Sequence, residues 1–359
     1  MAKLFGTHFS KEDVFRYFGS LDAVAGLRRL HYDEGLASGL RVVEVRNGSG
    51  LRFLVQLDRA LDIGLAEYMG MPVGYRSIVG EVGPQFYESQ DDGWLRSYGG
   101  GLLATCGLSN IGAASSDAGE QLGTHGRIGN TPADQVSLDT VWNGDQCDLF
   151  VRGRVVEAKA LGTRLALYRE ISVRVGENRI RIRDTVVNEG FKPAPLMILY
   201  HVNVGHPILD AGTRLIVNAM ETSPRDDTAA REMDSFDSYA GPTADYPDTV
   251  FYHRLKSDDE GMARAMLANE TIGRGVFVHY GVESLPYFLQ WKYSGEGDYA
   301  AGLEPANAFV GGRSEEREGG RLQILEPNEA RDFRVDVGLV TTREDLIIME
   351  KSIGQTQPA

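Results

Sequence analysis

The chain is poor in cysteine: Cys106 and Cys147 are the only two in 359 residues. Two thiols in so long a chain do not make a disulfide framework, and no paired Cys-x-x-Cys nominates a structural zinc site. It also lacks an apolar run long enough to cross a membrane. The opening residues, MAKLFGTHFSKEDVFRYFGS, carry Glu12 and Asp13 early and have no apolar core of signal-peptide length. The expectation is a soluble, cytoplasmic protein with no membrane partner. Positive charge is scarce as well. Lys and Arg number 37 against 51 Asp and Glu, a formal net charge of -14. Without a basic stripe to neutralise phosphates, nucleic acid is excluded as a partner. The acidity reads as solubility and disfavours a polyanionic substrate, although a local basic cluster could hold one charged group. Finally, there is no regular strand–helix alternation and no glycine fingerprint behind a strand. Both absences argue against a nucleotide-dependent dehydrogenase.

What is present is β-structure. Hydrophobic residues make up 42% of the chain, enough for a sizeable core. Residues 164–175, RLALYREISVRV, alternate apolar and polar. After Gly176-Glu177-Asn178 the alternation resumes in RIRIRDTVV, which reads as a hairpin with Ile180 and Ile182 facing the core. LRVVEVR and LRFLVQL flank Asn47-Gly48 in the same way. VFVHYGVESLPYFLQWKY, residues 276–293, reads as another hairpin turning at Gly281-Val282-Glu283-Ser284. Phe333, Val335, Val337 and Leu339 alternate near the end. Many short strands at turn-rich spacing predict an all-β sandwich or barrel. Helix is expected only near the ends, after a cap at Ser10 and from the N-cap Thr342 to Ile353. Residues 223–249 are acidic, contain Pro and Gly, and are weakly periodic, so they read as a long surface loop or flap. No internal repeat or linker divides the chain. One domain over 1–359 is expected, with its core from about residue 10 to 345.

Seven histidines are few enough to weigh singly. His8, His31, His253 and His279 read as structural. His125 opens the irregular segment His125-Gly126-Arg127-Ile128-Gly129-Asn130-Thr131-Pro132, which offers donors of three kinds to a polyhydroxylated ligand. A turn whose polar groups satisfy the backbone explains that segment equally well. In Tyr200-His201-Val202-Asn203, a strand would place His201 and Asn203 on one face, an acid/base group beside an amide. Glu304, between Leu303 and Pro305, is a candidate buried base, because burial raises a carboxyl pKa; a Glu that ties down a loop by accepting backbone N–H bonds is the alternative. His201 and His206 also have H-x4-H spacing, but strand geometry holds them far apart, so no metal or other cofactor is expected.

Taken in order, five segments resemble the aldose 1-epimerase (galactose mutarotase-like) superfamily. They are Asp58–Gly64 (DRALDIG), Gly100–Leu108 (GGLLATCGL), HGRIGNTPA from His125, YHVNVGHP from Tyr200, and GLEPANAFVGGR from Gly302. They span most of the chain and fit an uncharacterised bacterial branch. The resemblance implies a large antiparallel β-sandwich with a sugar site on its concave face. It implies that His125 holds the sugar, that His201 is the general acid on the ring oxygen, and that Glu304 is the general base on the anomeric hydroxyl. Arg76, Arg127, Asn130, Asn203 and Asn307 are then the candidate sugar-binding residues. The family's usual upstream Arg is absent from GGLLATCGLSNIG, which leaves Arg127 and Arg76 as its replacements. The expected activity is cofactor-free interconversion of sugar anomers on a small-molecule sugar, and the chain could form a homo-oligomer. The alternatives are a sugar-binding protein without turnover, or an epimerase or isomerase of a keto- or deoxy-sugar.

Overall fold

The computed structural model describes residues 2–355. Two large antiparallel sheets dominate it. The first has ten strands in the order Ala219–Pro224, Thr249–Leu255, Tyr287–Ser294, Tyr299–Ala306, Ala194–Val204, Leu103–Leu108, Asp62–Tyr68, Leu51–Gln56, Arg41–Arg46 and Gly26–His31. Two short strands, Gln323–Leu325 and Met71–Pro72, attach to its side. The second runs Ala133–Asn143, Gln146–Ala158, Arg164–Arg174, Arg179–Asn188, Ala330–Val340, Arg274–Gly281, Met262–Asn269, Arg214–Val217. The two sheets pack face to face, and each strand buries one set of alternate residues between them. In Arg179–Asn188 the alternation is complete: Ile180 and Ile182 are buried, while Arg179, Arg181 and Arg183 stay on the outer face.

The 164–188 hairpin forms with Val173 opposite Ile180. The strands on either side of Asn47-Gly48 also pair. The third expected hairpin does not form. Arg274–Gly281 belongs to the second sheet and Tyr287–Ser294 to the first, so Gly281–Ser284 carries the chain from one layer to the other. Alternation marks both strands but says nothing about which sheet each joins. Both terminal helices are present. Ser10 and Asp13 close a capping box at Lys11–Phe18, and the Thr342 side chain caps Arg343–Gly354. Helix is not confined to the ends, however: short helices also occupy Asp227–Ala230 and Arg313–Glu318.

The 223–249 segment is more ordered than a simple surface loop. It starts at the end of a strand, contains a helical turn, and is pinned to the first sheet. The buried Lys292 ammonium donates to Glu232 at 3.0 Å and to the Ser235 carbonyl at 3.1 Å, and the Gln290 amide donates to Phe236 O at 2.6 Å.

A buried charge network joins the layers. Arg169, on the second sheet and with no exposed side-chain surface, reaches Asp184 beside it at 2.7 Å. It then crosses to Asp62 Oδ1 (3.0 Å), Thr105 Oγ1 (2.8 Å) and Ala60 O (3.0 Å) on the first sheet. Tyr200 of the first sheet donates its hydroxyl to Asp184 at 2.7 Å. Burial opposes the Arg169 charge, but Asp184 and then Asp62 hold its pKa above the usual value. Removing one member of such a network strands the others in a dry interior. Arg169→Met is therefore expected to lower unfolding free energy by about 3–5 kcal/mol, read as a drop in the urea midpoint at unchanged slope.

Candidate functional site

The site lies on the face of the first sheet that points away from the second. Val202 pairs with Leu303 and Leu199 with Ala306, a register that sets His201 directly opposite Glu304 on adjacent strands. Tyr200 and Val202 on either side of His201, and Leu303 beside Glu304, point into the inter-sheet core, so His201 and Glu304 point the other way. His201 Nε2 and Glu304 Oε1 are 3.2 Å apart, and both side chains are almost wholly buried. The pair is close but not aligned as a hydrogen bond, and neither Glu304 Oε1 nor His201 Nδ1 has a hydrogen-bond partner. Gly302, two residues before Glu304 on the same face, makes room for the carboxylate. Its φ is ordinary, yet a Cβ there would collide with Glu304 Oε1.

The pair sits in the wall of a cleft of about 880 Å³ that His125 also lines. His125 has φ +57°, a left-handed conformation that His tolerates better than most residues. Its loop is fixed by backbone bonds to Gly107 and Gly112 and by the Asn110 amide donating to Gly123 O. The Gly112 N–H donates to His125 Nδ1 at 3.2 Å. That bond places the proton of the neutral ring on Nε2, so His125 is a fixed donor. Aromatic rings complete the wall. Trp94 stacks on Tyr98 at 4.4 Å and lies 4.5 Å from His125, while Trp291 stands edge-on to His201 at 5.3 Å.

Burial dominates the electrostatics. It pushes His125 down to about 4, and together with the neighbouring His125 it pushes His201 down to about 3. Burial, with Asp248 adding to it and Arg225 opposing, lifts Glu304 well above the carboxylate range. All three groups are thus driven toward their neutral forms.

The structure brings Glu304, His201 and His125 together, but it does not gather the predicted sugar-binding residues around them. Arg76 and Arg127 are exposed and lie outside the cleft lining, because Tyr75 takes the inward place on the Tyr75–Arg76 strand. Asn203 shares the face of His201 but is consumed internally. Its amide donates to Gly101 O and His201 O, and its Oδ1 accepts from the Tyr98 hydroxyl at 2.8 Å. Asn307 imitates a strand partner, accepting from Ile198 N and donating to Leu196 O. Asn130 is buried away from the cleft, and neither of its side-chain polar atoms has a partner. His206 is mostly exposed, 3.9 Å from Asp210. Among the described residues no group of three or more His, Cys, Asp or Glu is placed to hold a metal ion.

Sequence reasoning missed the aromatic wall, and also Arg225, Asp248 and Asp298. Arg225 and Asp248 come from the two ends of the 223–249 segment and meet at 2.9 Å, and Asp248 accepts the Trp291 indole N–H. The Tyr75 hydroxyl donates to Asp298. The aromatic alternation of Tyr287, Trp291 and Tyr293 was the signal available in the sequence.

Residues 37–339 match the family described as a domain of unknown function, DUF4432. The chain belongs to the DUF4432 family. No curated protein matches it at a significant level. Among solved structures, it is similar to a candidate aldose 1-epimerase of Klebsiella pneumoniae subsp. pneumoniae, with 25% identity and a TM-score of 0.87 over 93% of this chain and 89% of that one. A galactose mutarotase-like protein of Clostridium acetobutylicum (14%, TM-score 0.60, covering 88% and 98%) shares the fold. So does the galactose 1-epimerase of Lactobacillus acidophilus (13%, TM-score 0.56, covering 88% and 98%). This DUF4432 chain therefore has the galactose mutarotase-like β-sandwich.

Gly302→Ala is expected to break the 3.2 Å approach while leaving the sheet intact. The predicted cost is about 1–3 kcal/mol of overpacking, together with displaced imidazole nitrogen resonances of His201 in NMR spectra.

Proposed function

We propose that the cleft binds a small sugar and interconverts its anomers without a cofactor, with Glu304 and His201 as the proton-transfer pair. The observation that carries this reading is the 3.2 Å approach of two buried, oppositely titrating groups within an aromatic-walled cleft. Flat aromatic faces suit the apolar C–H face of a sugar ring. The likeness to a candidate aldose 1-epimerase and to a galactose 1-epimerase supports the reaction class.

Ring opening of a hemiacetal removes a proton from the anomeric hydroxyl and delivers one to the ring oxygen. Together the pair holds one mobile proton. Burial favours the tautomer with a protonated Glu304 and a neutral His201. Shifting that proton from the carboxyl to Nε2 produces a carboxylate base and an imidazolium acid in one step. Glu304 then accepts the anomeric proton and His201 protonates the ring oxygen. Rotation about C1–C2 and reclosure gives the other anomer. His125 Nε2–H holds a sugar oxygen in place. Each proton transfer contributes on the order of 100-fold or more.

Glu304→Gln is expected to abolish anomer exchange measured by NMR while sugar binding survives. Exchange at the wild-type rate would refute the role. The reaction needs the pair to hold its single proton, a state bounded below by His201 at about 3 and above by the raised Glu304 pKa. The rate is therefore expected to show no acid-side fall above pH 5, because His201 titrates at about 3, and to fall as pH rises through the raised Glu304 pKa. Initial exchange rates from pH 5 to 9 check this.

A further inference from the structure

Among the described residues, five charged ones line the cleft: Arg225, Asp248, Asp298, Glu304 and Glu315. Arg225 is the only cation among them, and three of its five guanidinium N–H groups are already engaged. Nε donates to Asp226 at 2.8 Å, Nη1 to Asp248 Oδ2 at 2.9 Å, and Nη2 to the Asp248 carbonyl at 3.2 Å. A carboxylate or phosphate needs free, convergent donors of that kind. With both histidines neutral and Glu304 protonated, Asp248, Asp298 and Glu315 outweigh Arg225, and the chain as a whole carries -14. Arg76 and Arg127, the other cations that could have served, lie outside the lining.

We infer that the cleft takes an uncharged sugar and rejects sugar acids and sugar phosphates, and that Asp248 sets this selectivity by sequestering Arg225. The inference rests on the sugar-binding reading above and specifies its substrate class. Asp248 is suited to the part for a second reason. Its other oxygen accepts the Trp291 indole N–H at 2.5 Å, so a single carboxylate both neutralises the lone cation and holds a wall of the cleft. An Asn at this position still offers Trp291 an acceptor but removes one of the two carboxylates that hold Arg225, leaving only Asp226 on it. The substitution separates the two roles.

The test is binding, read by thermal shift and by NMR line broadening at matched ionic strength. The probes are glucose and galactose, their uronic acids and their 6-phosphates, against wild type, Asp248→Asn and Asp248→Asn/Arg225→Gln. Wild type should bind at least one neutral sugar and none of the anions. Asp248→Asn should gain affinity for a uronic acid of about tenfold or more relative to the neutral sugar, and the double variant should lose that gain. Should Asp248→Asn not fold, Asp298→Asn serves in its place. It removes a negative charge from the other wall while keeping an acceptor for Tyr75, and it too should relax the exclusion. Wild type binding the anions as well as the neutral sugars overturns the inference and leaves the sugar-binding reading standing. A folded Asp248→Asn that gains no anion binding overturns the role of Asp248. Wild type that binds no sugar, charged or neutral, overturns both readings.

Discussion

The Arg169 guanidinium is the constraint on which the site depends. It lies in the dry space between two sheets, where an unpaired charge is prohibitive. Its ligands come from both layers: Asp184 from its own sheet, and Asp62, Thr105 and the Ala60 carbonyl from the other. Asp62 is turned toward it by a tight bend in which Ala60 and Leu61 both have positive φ, 51° and 59°. Conformations of that kind cost non-glycine residues of order 1–3 kcal/mol each, and the network they complete offsets the cost. Tyr200 joins the same network through Asp184. The residue that anchors the strand inward is thus the immediate neighbour of His201, which faces outward into the cleft. Sheet pleating makes the two orientations obligatory complements.

On the cleft side, desolvation shapes the chemistry. The cross-strand register puts an imidazole against a carboxyl, and burial then drives both toward neutrality. A neutral pair costs less to bury than a charged one. The rest of the wall is largely rings, with Arg225, Asp248, Asp298 and Glu315 as its other charged members. The excursion from 223 to 249 matters here because its two ends return to the rim as the Arg225–Asp248 pair, while Lys292 and Gln290 pin its middle to the sheet.

Much of the fold was legible in the alternation. The 164–188 hairpin, the strand from Phe333, and the caps at Ser10 and Thr342 each follow from local chemistry: period-two burial and side-chain capping of free N–H groups. The false hairpin at 276–293 shows the limit. Alternation fixes which residues of a strand face inward, but the choice of sheet is made by partners far away in sequence. The site divides in the same way. His125, His201 and Glu304 stood out because the order of five segments resembled a known superfamily. The Asn and Arg residues near them in sequence were over-read. Asn203 and Asn307 satisfy backbone groups, and Arg76 and Arg127 face solvent, because proximity along the chain does not decide which face a side chain takes.

The sequence by itself determined the β-rich architecture and the capped terminal helices, which rest on local periodicity and residue type. The choice of His125, His201 and Glu304 as candidates rested on the order of five segments. Only the tertiary structure decided that His201 and Glu304 meet at 3.2 Å, that Trp94 and Trp291 frame them, and that Arg225 enters the cleft wall held by Asp226 and Asp248. Register between strands a hundred residues apart, and the burial it creates, are set by the packing of whole sheets, and no local stretch of the chain encodes them.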